Sequence, residues 1–425
     1  MLILIIITFV LGYLAIAFEH SIKLNKAASA LLTGGLCWTF YMLSSHSGDG
    51  SDHVTEQLLE HLGEIAGILF FLLGAMTIVE LIDAHDGFSI ITNLISTKSK
   101  RRLLWIVAGL AFFLSAVLDN LATTIVMVSL VQKLLANRND RLLFIGMLVI
   151  AANAGGAWSP IGDVTTTMLW IGGQVTTQTV VLNLFLPSLV CLLLPLTIMS
   201  LMLKGDIESP VETQKIRAIN VRNRNIIFFS GLCILLFVPV FKVVTHLPPF
   251  MGMLIGLGLL WLISELLHKD KDQEDRDKLS VVYALRKIDT PSILFFLGIL
   301  ISIAALQSAG YLSQLATVMD KRIGNVDLIV LSIGVLSAVV DNVPLVAGTM
   351  GMYDLSTYPT DHYFWQFLAY CAGTGGSALI IGSAAGVAAM GMEKIDFFWY
   401  IKKISWLALS GYFAGAMLFI AMHGA

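Results

Sequence analysis

The sequence predicts an all-α polytopic membrane protein built from two inverted-topology repeats, and three observations lead there. Of 425 residues, 57% are hydrophobic and 13% charged. A soluble domain carries about 25% charged side chains, so this chain lacks the groups to wet its own surface. The apolar runs are continuous and near the ~20 residues a helix needs to cross a bilayer, unlike the alternating ~10-residue segments of a membrane β-barrel. Finally, Leu114-Ser115-Ala116-Val117-Leu118-Asp119-Asn120 recurs as Leu336-Ser337-Ala338-Val339-Val340-Asp341-Asn342, with six of seven positions identical at an offset of 222.

Taken in order, apolar runs fall at 1–18, 27–43, 64–83, 103–135, 142–172 and 180–203, then at 226–241, 249–267, 291–308, 325–352, 362–392 and 404–422. The first run lacks the basic start of a signal peptide, since the first Lys or Arg is Lys23, and is taken as a span. The 103–135 run is 33 residues long with Asp119-Asn120 at its middle. Each half is marginal for a crossing, so a re-entrant helical hairpin with Asp-Asn at its tip is expected; irregular backbone is tolerated at depth where it lines a cavity. The 325–352 run is its repeat, and Pro344 pre-sets the first turn of the returning arm. The 142–172 and 362–392 runs hold polar, glycine-rich centres, with Gly155-Gly156 and Gly375-Gly376, and Gly162 and Gly382, paired at an offset of 220. The glycine pairs and Pro160 are expected to interrupt these helices. Paired interrupted segments in matching halves point to a transporter site.

Each half then has five spanning helices, one of them discontinuous, plus one hairpin. Five is odd, so the second half is inverted. With both termini outside, the segments 19–26, 98–102, 133–141, 204–224, 268–289 and 393–403 lie in the cytoplasm and hold 23 of the 26 Lys and Arg, as the positive-inside rule requires. The expected division is 1–204 for the first repeat, 205–224 for a cytoplasmic linker and 225–425 for the second repeat. An acidic outer loop at 44–63 holds His46, His53 and His61. Segments 86–97 and 311–322 are expected as interfacial helices, and Glu80 and Asp83 as interfacial acids. Cys37, Cys191, Cys233 and Cys371 have no metal or redox spacing and are assigned to core packing.

An ionisable residue inside a hydrocarbon-length segment costs roughly 2.5–3.5 kcal/mol on insertion scales and marks function. Bringing the two tips and the two helix breaks together near the midplane gathers Ser115, Asp119, Asn120, Asn153, Ser159, Asp163, Thr165 and Thr166 with Ser337, Asp341, Asn342 and Ser377. All are hard oxygen donors, which suit Na⁺ or Li⁺ better than a transition metal. Asp119, Asp163 and Asp341, with no basic residue in these stretches, argue for a cationic substrate; an anion site would use helix N-termini and hydroxyls without acids. A buried carboxylate left without a cation favours its neutral form. A site that must hold either a metal ion or a proton exchanges one for the other. No cofactor and no nucleic acid are implied.

At these residues the chain resembles the NhaD-type sodium/proton antiporters of the ion transporter superfamily. The most specific stretch is Asn153-Ala154-Gly155-Gly156 leading into Ser159-Pro160-Ile161-Gly162-Asp163-Val164-Thr165-Thr166, beside the two Asp-Asn tips. The resemblance implies Na⁺(Li⁺)/H⁺ exchange in a bacterial inner membrane, service in pH homeostasis and salt tolerance, and a homodimer in membrane lipid with elevator-like movement. It carries the family's acids onto Asp119, Asp163 and Asp341, and its neutral helpers onto Ser115, Asn153, Thr165, Thr166, Ser337, Asn342 and Ser377. A sodium-coupled dicarboxylate symporter would be expected to show Ser-Asn-Thr at the tips. An arsenite permease would want a thiophilic site or an ATPase partner. An intramembrane enzyme lacks its motif, although Ser159 and Asp163 superficially mimic one.

Overall fold

The computed structural model describes residues 2–17, 19–44, 49–92, 97–203, 205–207, 220–269, 272 and 278–423. Among these the regular structure is helical, and nine helices are long and apolar enough to cross a bilayer. Residues 208–219 of the expected linker, His46, and parts of the 86–97 and 268–289 segments lie outside the described residues. The first half runs Leu2–Ala17, Lys26–Ser44, Asp49–Ala84, Lys100–Leu118, Asn120–Leu134, Arg138–Ala157, Val164–Ile171 and Thr177–Met202. The second runs Val221–Thr245, Pro249–His268, Thr290–Ser308, Val326–Leu336, Asn342–Met352, Tyr363–Gly375, Ala384–Glu393 and Phe397–His423, the last with a π-helical turn at Ile401–Ser405. Tyr311–Arg322 is a helix with Leu312 and Ala316 buried, and Leu315 and Val318 exposed.

Three sequence expectations need correction. The stretch 49–63 is not a loop: one helix of 36 residues, Asp49–Ala84, runs through it, about 54 Å at 1.5 Å per residue. Val54, Leu58, Ile65 and Ile68 recur at helical spacing and pack on the core, which outweighs the polar residues between them. Nor does the first glycine pair break its helix, although the second does, Tyr363–Gly375 ending between Gly375 and Gly376. Gly155 and Gly156 lie inside Arg138–Ala157, and the interruption comes at 158–163. Their function is close approach: a Cβ on Gly155 would stand 2.2 Å from the Phe112 carbonyl oxygen, and one on Gly156 2.4 Å from that of Gly162. Lastly, Cys233 is exposed, whereas the other three cysteines are buried as expected.

The first Asp-Asn tip reverses the chain. The Lys100 Nζ at the start of one arm reaches the Asp140 Oδ2 just past the other at 2.7 Å, so both arms begin and end side by side. In the second pair of arms, the Tyr353 hydroxyl donates to Asp320 Oδ1 at 2.8 Å, and that of Tyr363 to Asp327 Oδ1 at 2.7 Å. The two halves also reuse the same close contacts. Gly155 faces the carbonyl of Phe112, and Gly375 that of Gly334, 222 positions on; Gly162 abuts Ser115 and Ala116, and Gly382 abuts Ala338. Backbones thus touch where a helix break meets a tip arm, which needs residues without side chains.

Two packing groups result. Lys26–Ser44 crosses Thr290–Ser308 while Asp49–Ala84 crosses Pro249–His268, forming a frame. In the first crossing Gly34 meets the Gly298 carbonyl, and Trp38 Nε1 donates to Ile301 O at 2.9 Å; small residues let membrane helices approach this closely. The tip arms, the broken helices, Thr177–Met202 and Trp406–His423 form the second group, which carries the candidate site. Trp158 packs there against Phe112 and Phe185, a filling rather than a gating place. A side chain at Gly155 has only backbone to push against. Gly155→Ala is expected to cost about 1–3 kcal/mol by overpacking and to lower the Tm of detergent-purified protein. Gly109→Ala, with nothing within 4 Å of its Cβ, leaves it unchanged.

Candidate functional site

Four helices start within this group, and each start is capped by a short polar side chain singled out by the repeat. Asp119 Oδ1 accepts from Ala122 N at 2.7 Å, Asp163 Oδ1 from Thr165 N at 2.8 Å, Asp341 Oδ1 from Val343 N at 3.4 Å and Ser383 Oγ from Gly386 N at 3.2 Å. A helix start leaves orphan N–H groups and a partial positive charge, both of which an acidic cap satisfies. Asp119 holds its place with φ +90, a conformation costly for a residue with a side chain. Ser383 stands where the first half has Asp163.

Between the caps runs a network that crosses the two halves. Asn153, on the helix before the first break, donates through Nδ2 to Ser377 Oγ and Ser383 Oγ, each at 2.9 Å. Its Oδ1 accepts from Asn120 Nδ2 at 3.1 Å, and the same Asn120 amide donates to Asp163 Oδ2 at 2.5 Å. Thr165 Oγ1 donates to Asp163 Oδ1 at 2.6 Å. Asn120, Asn153, Asp163, Thr165, Ser377 and Ser383 are all buried. Both oxygens of Asp163 are thus held by donors, and it lies within electrostatic reach of Asp119.

The remaining hydroxyls point their protons at carbonyls. Ser115 Oγ donates to Ala152 O at 2.6 Å, Ser159 Oγ to Ala116 O at 2.5 Å, and Ser337 Oγ to Gly334 O at 2.7 Å. A hydroxyl whose proton is engaged this way presents only lone pairs to its surroundings. Ser115 and Ser159 tie the first break to its tip arm, Ser337 also reaches Ala372 O at 3.4 Å, and none of the three joins the Asn153 network directly. The Thr123 and Thr166 hydroxyls are buried with no hydrogen-bond partner. Orphan buried hydroxyls one turn after Asp119 and Asp163 call for a ligand or water, and their oxygens fit an alkali cation.

A cavity of about 470 Å³ reaches Asp119 and is lined also by Lys26, Glu80, Asp83, Lys287 and Asp289. Glu80 and Asp83, assigned above to the interface, share this cavity with a tip acid. The Asp119 carboxylate faces the backbone N–H groups of Ala122 and Leu121, and no side chain among the described residues donates to it.

The three acids do not gather symmetrically. Asp341 meets Lys26, with Nζ 3.9 Å from Oδ2. Asn342 is buried beside it. Among the described residues no three acidic, histidine or cysteine side chains converge on one point. Lys26 is the residue whose part the sequence left unassigned. Ser383 is read from its alignment with Asp163, whereas Lys26, at the start of a helix distant in sequence, gives no signal.

Comparison with known proteins bears on what such a site handles. A family model described as "Citrate transporter" matches residues 3–371. The chain is 51% identical to Sodium/proton antiporter 1 of Arabidopsis thaliana, over 98% of this chain and 71% of that protein. It is 47% identical to Sodium/proton antiporter 2 of the same plant, over 98% of both. The Na(+)/H(+) antiporter NhaD of Vibrio cholerae is 30% identical over 98% of this chain and 91% of its own.

Asn153 is the point where the two halves share hydrogen bonds. Asn153→Ala strips partners from Asn120, Ser377 and Ser383, at about 1–3 kcal/mol for each buried group left unpaired. Thermal unfolding should show that loss. In a double-mutant cycle with Ser377→Ala the two losses should fall short of additive; strict additivity would mean that the network does not exist in the folded protein.

Proposed function

The chain belongs to the NhaD-type sodium/proton antiporters, within the range of the citrate-transporter family model, and from this premise we propose that it exchanges Na⁺ for protons at Asp119 and Asp163. The observation that carries the reading is Asp163 itself. It is a buried carboxylate with no basic side chain among its partners, held by Asn120 and Thr165 and joined through Asn120 and Asn153 to the second half. Two orphan hydroxyls stand near, and a cavity ends at the adjacent acid. Left without a cation, such carboxylates are expensive in apolar surroundings. Either an alkali ion or a proton relieves the cost, and a site that is never left bare couples the two fluxes.

In this reading Na⁺ is the substrate. It arrives through the cavity, where Glu80, Asp83 and Asp289 raise the local cation concentration, and meets the Asp119 carboxylate. Asp163, the lone pairs of Thr123 and Thr166 and the carbonyls of the break supply the remaining oxygen ligands. Li⁺, smaller and equally hard, fits the same donors. Asn153, Asn120, Ser377 and Ser383 hold the ligands in register, and Ser115, Ser159 and Ser337 fix the breaks against the tip arms.

The two halves, 1–204 and 225–425, are taken as inverted repeats with re-entrant tips. The face bearing the basic loops is taken as cytoplasmic, so the cavity opens inward and both termini lie outside. Multi-pass insertion in a bacterial inner membrane follows the NhaD relatives, with pH homeostasis and salt tolerance as its service and a homodimer as its assembly. The plant relatives place the same chemistry in a eukaryote as well.

The family model's description raises citrate as a second substrate. A tricarboxylate entering the cavity would face Asp119 and Asp163, like charges that repel it. Asp163→Asn, in inverted vesicles, is expected to abolish Na⁺-dependent dissipation of an imposed proton gradient with membrane insertion and Tm retained. Full exchange in that variant would remove Asp163 from the site. Na⁺-driven citrate or succinate uptake by the unaltered protein should be absent, and its presence would favour the symporter.

A further inference from the structure

We propose that Lys26 is a resident counter-ion: its ammonium holds the cation position at Asp341, so the second tip carries a tethered charge where the first receives the transported ion. The inference rests on the antiport reading above and concerns how many ions one chain carries.

Asp119 and Asp341 are equivalent in the repeat, each capping the returning arm of its tip. Of the two, Asp341 is the one with an ammonium in ion-pair contact. Lys26 Nζ stands 3.9 Å from Asp341 Oδ2, with the two side chains 24% and 19% exposed, and lies over the buried Phe295 ring at 4.6 Å. The aromatic face favours a cation there. The helix Lys26–Ser44 starts at this residue, whose backbone N–H donates to Glu19 Oε1 at 3.3 Å, so the stem is anchored and the ammonium can move. The residue 222 positions on from Lys26 is Pro248, which brings no charge to the first tip.

The other titratable groups near Asp341 are the Tyr13 hydroxyl and Asp163, neither of them a cation. Lys26 also lines the cavity that ends at Asp119. A Na⁺ ion entering there finds one tip acid free and the other already paired. A tethered ammonium acts at high effective concentration, so dissolved Na⁺ competes poorly for Asp341. At 3.9 Å the contact is longer than a hydrogen bond, a pair held by charge and separable without breaking a directed bond. Lys26 is thus a specificity-determining residue that sets the ion count and takes no part in the exchange itself.

The test is the number of ²²Na⁺ ions bound per chain at saturation, measured on the purified full-length protein. The unaltered protein and Lys26→Arg should each bind one. Lys26→Met should bind two, a doubling, and Asp341→Asn added to Lys26→Met should restore one. A purely structural lysine would give no second ion, and the added substitution would restore nothing; a single ion in folded Lys26→Met overturns the inference. Should Lys26→Met fail to fold, Asp341→Asn alone decides. One bound ion upholds the inference, and none overturns it, because Asp341 would then be a Na⁺ ligand. Absence of Na⁺ binding to the unaltered protein would instead sink the antiport reading beneath it.

Discussion

The constraint on which the structure depends is that backbone exposed at depth must be satisfied without bulk water. Breaking a helix inside a membrane leaves amide N–H groups that no lipid can accept. The chain answers each of its four internal helix starts with a side-chain oxygen, from Asp119, Asp163, Asp341 or Ser383. An acid used this way does two things at once. It completes the helix, and it leaves a second oxygen for something else.

What that second oxygen meets differentiates the acids. At Asp163 it meets the Asn120 amide, which also donates to Asn153. At Asp119 it meets no side chain among the described residues, and the residue lines a cavity. At Asp341 it meets an ammonium. One local motif, repeated, therefore yields a positioned ligand, an open ligand and a neutralised one. The proposed exchange uses the first two, with serines and threonines whose protons are turned toward carbonyls or left without partners.

Much of this was legible in the sequence because charge inside a hydrocarbon span is costly and therefore conspicuous. The Asp119-Asn120 and Asp341-Asn342 tips, the breaks after Asn153 and Gly375, and the matching of halves all follow from apolar run length and an offset near 222. What could not be read depends on packing between distant segments. Gly155 and Gly156 look like helix breakers, and only the neighbouring Phe112 carbonyl shows that they are spacers. The polar start of Asp49–Ala84 reads as a loop until Val54 and Leu58 find the core. Lys26, over three hundred residues from Asp341, leaves no trace in a local window. Asn153 was chosen for its place in a motif, and its bonds to Ser377 and Ser383 emerge only when the halves are packed.

The bonds that join the site-bearing group to the frame have a mechanical character of their own. Lys26 reaches Asp341 from one frame helix, and Lys242 reaches the Trp170 carbonyl and ring from Val221–Thr245, which packs on the frame helix Pro249–His268. Both are ammoniums on four-carbon stems, which swing through several ångströms with their anchors in place. Inside the site-bearing group, by contrast, Glu393 is clasped at close range by Arg141 and Gln132, and Asp361 by Thr176. Grip is rigid within and slack between, so a shift of one body past the other would stretch leashes before it disturbed the ligands.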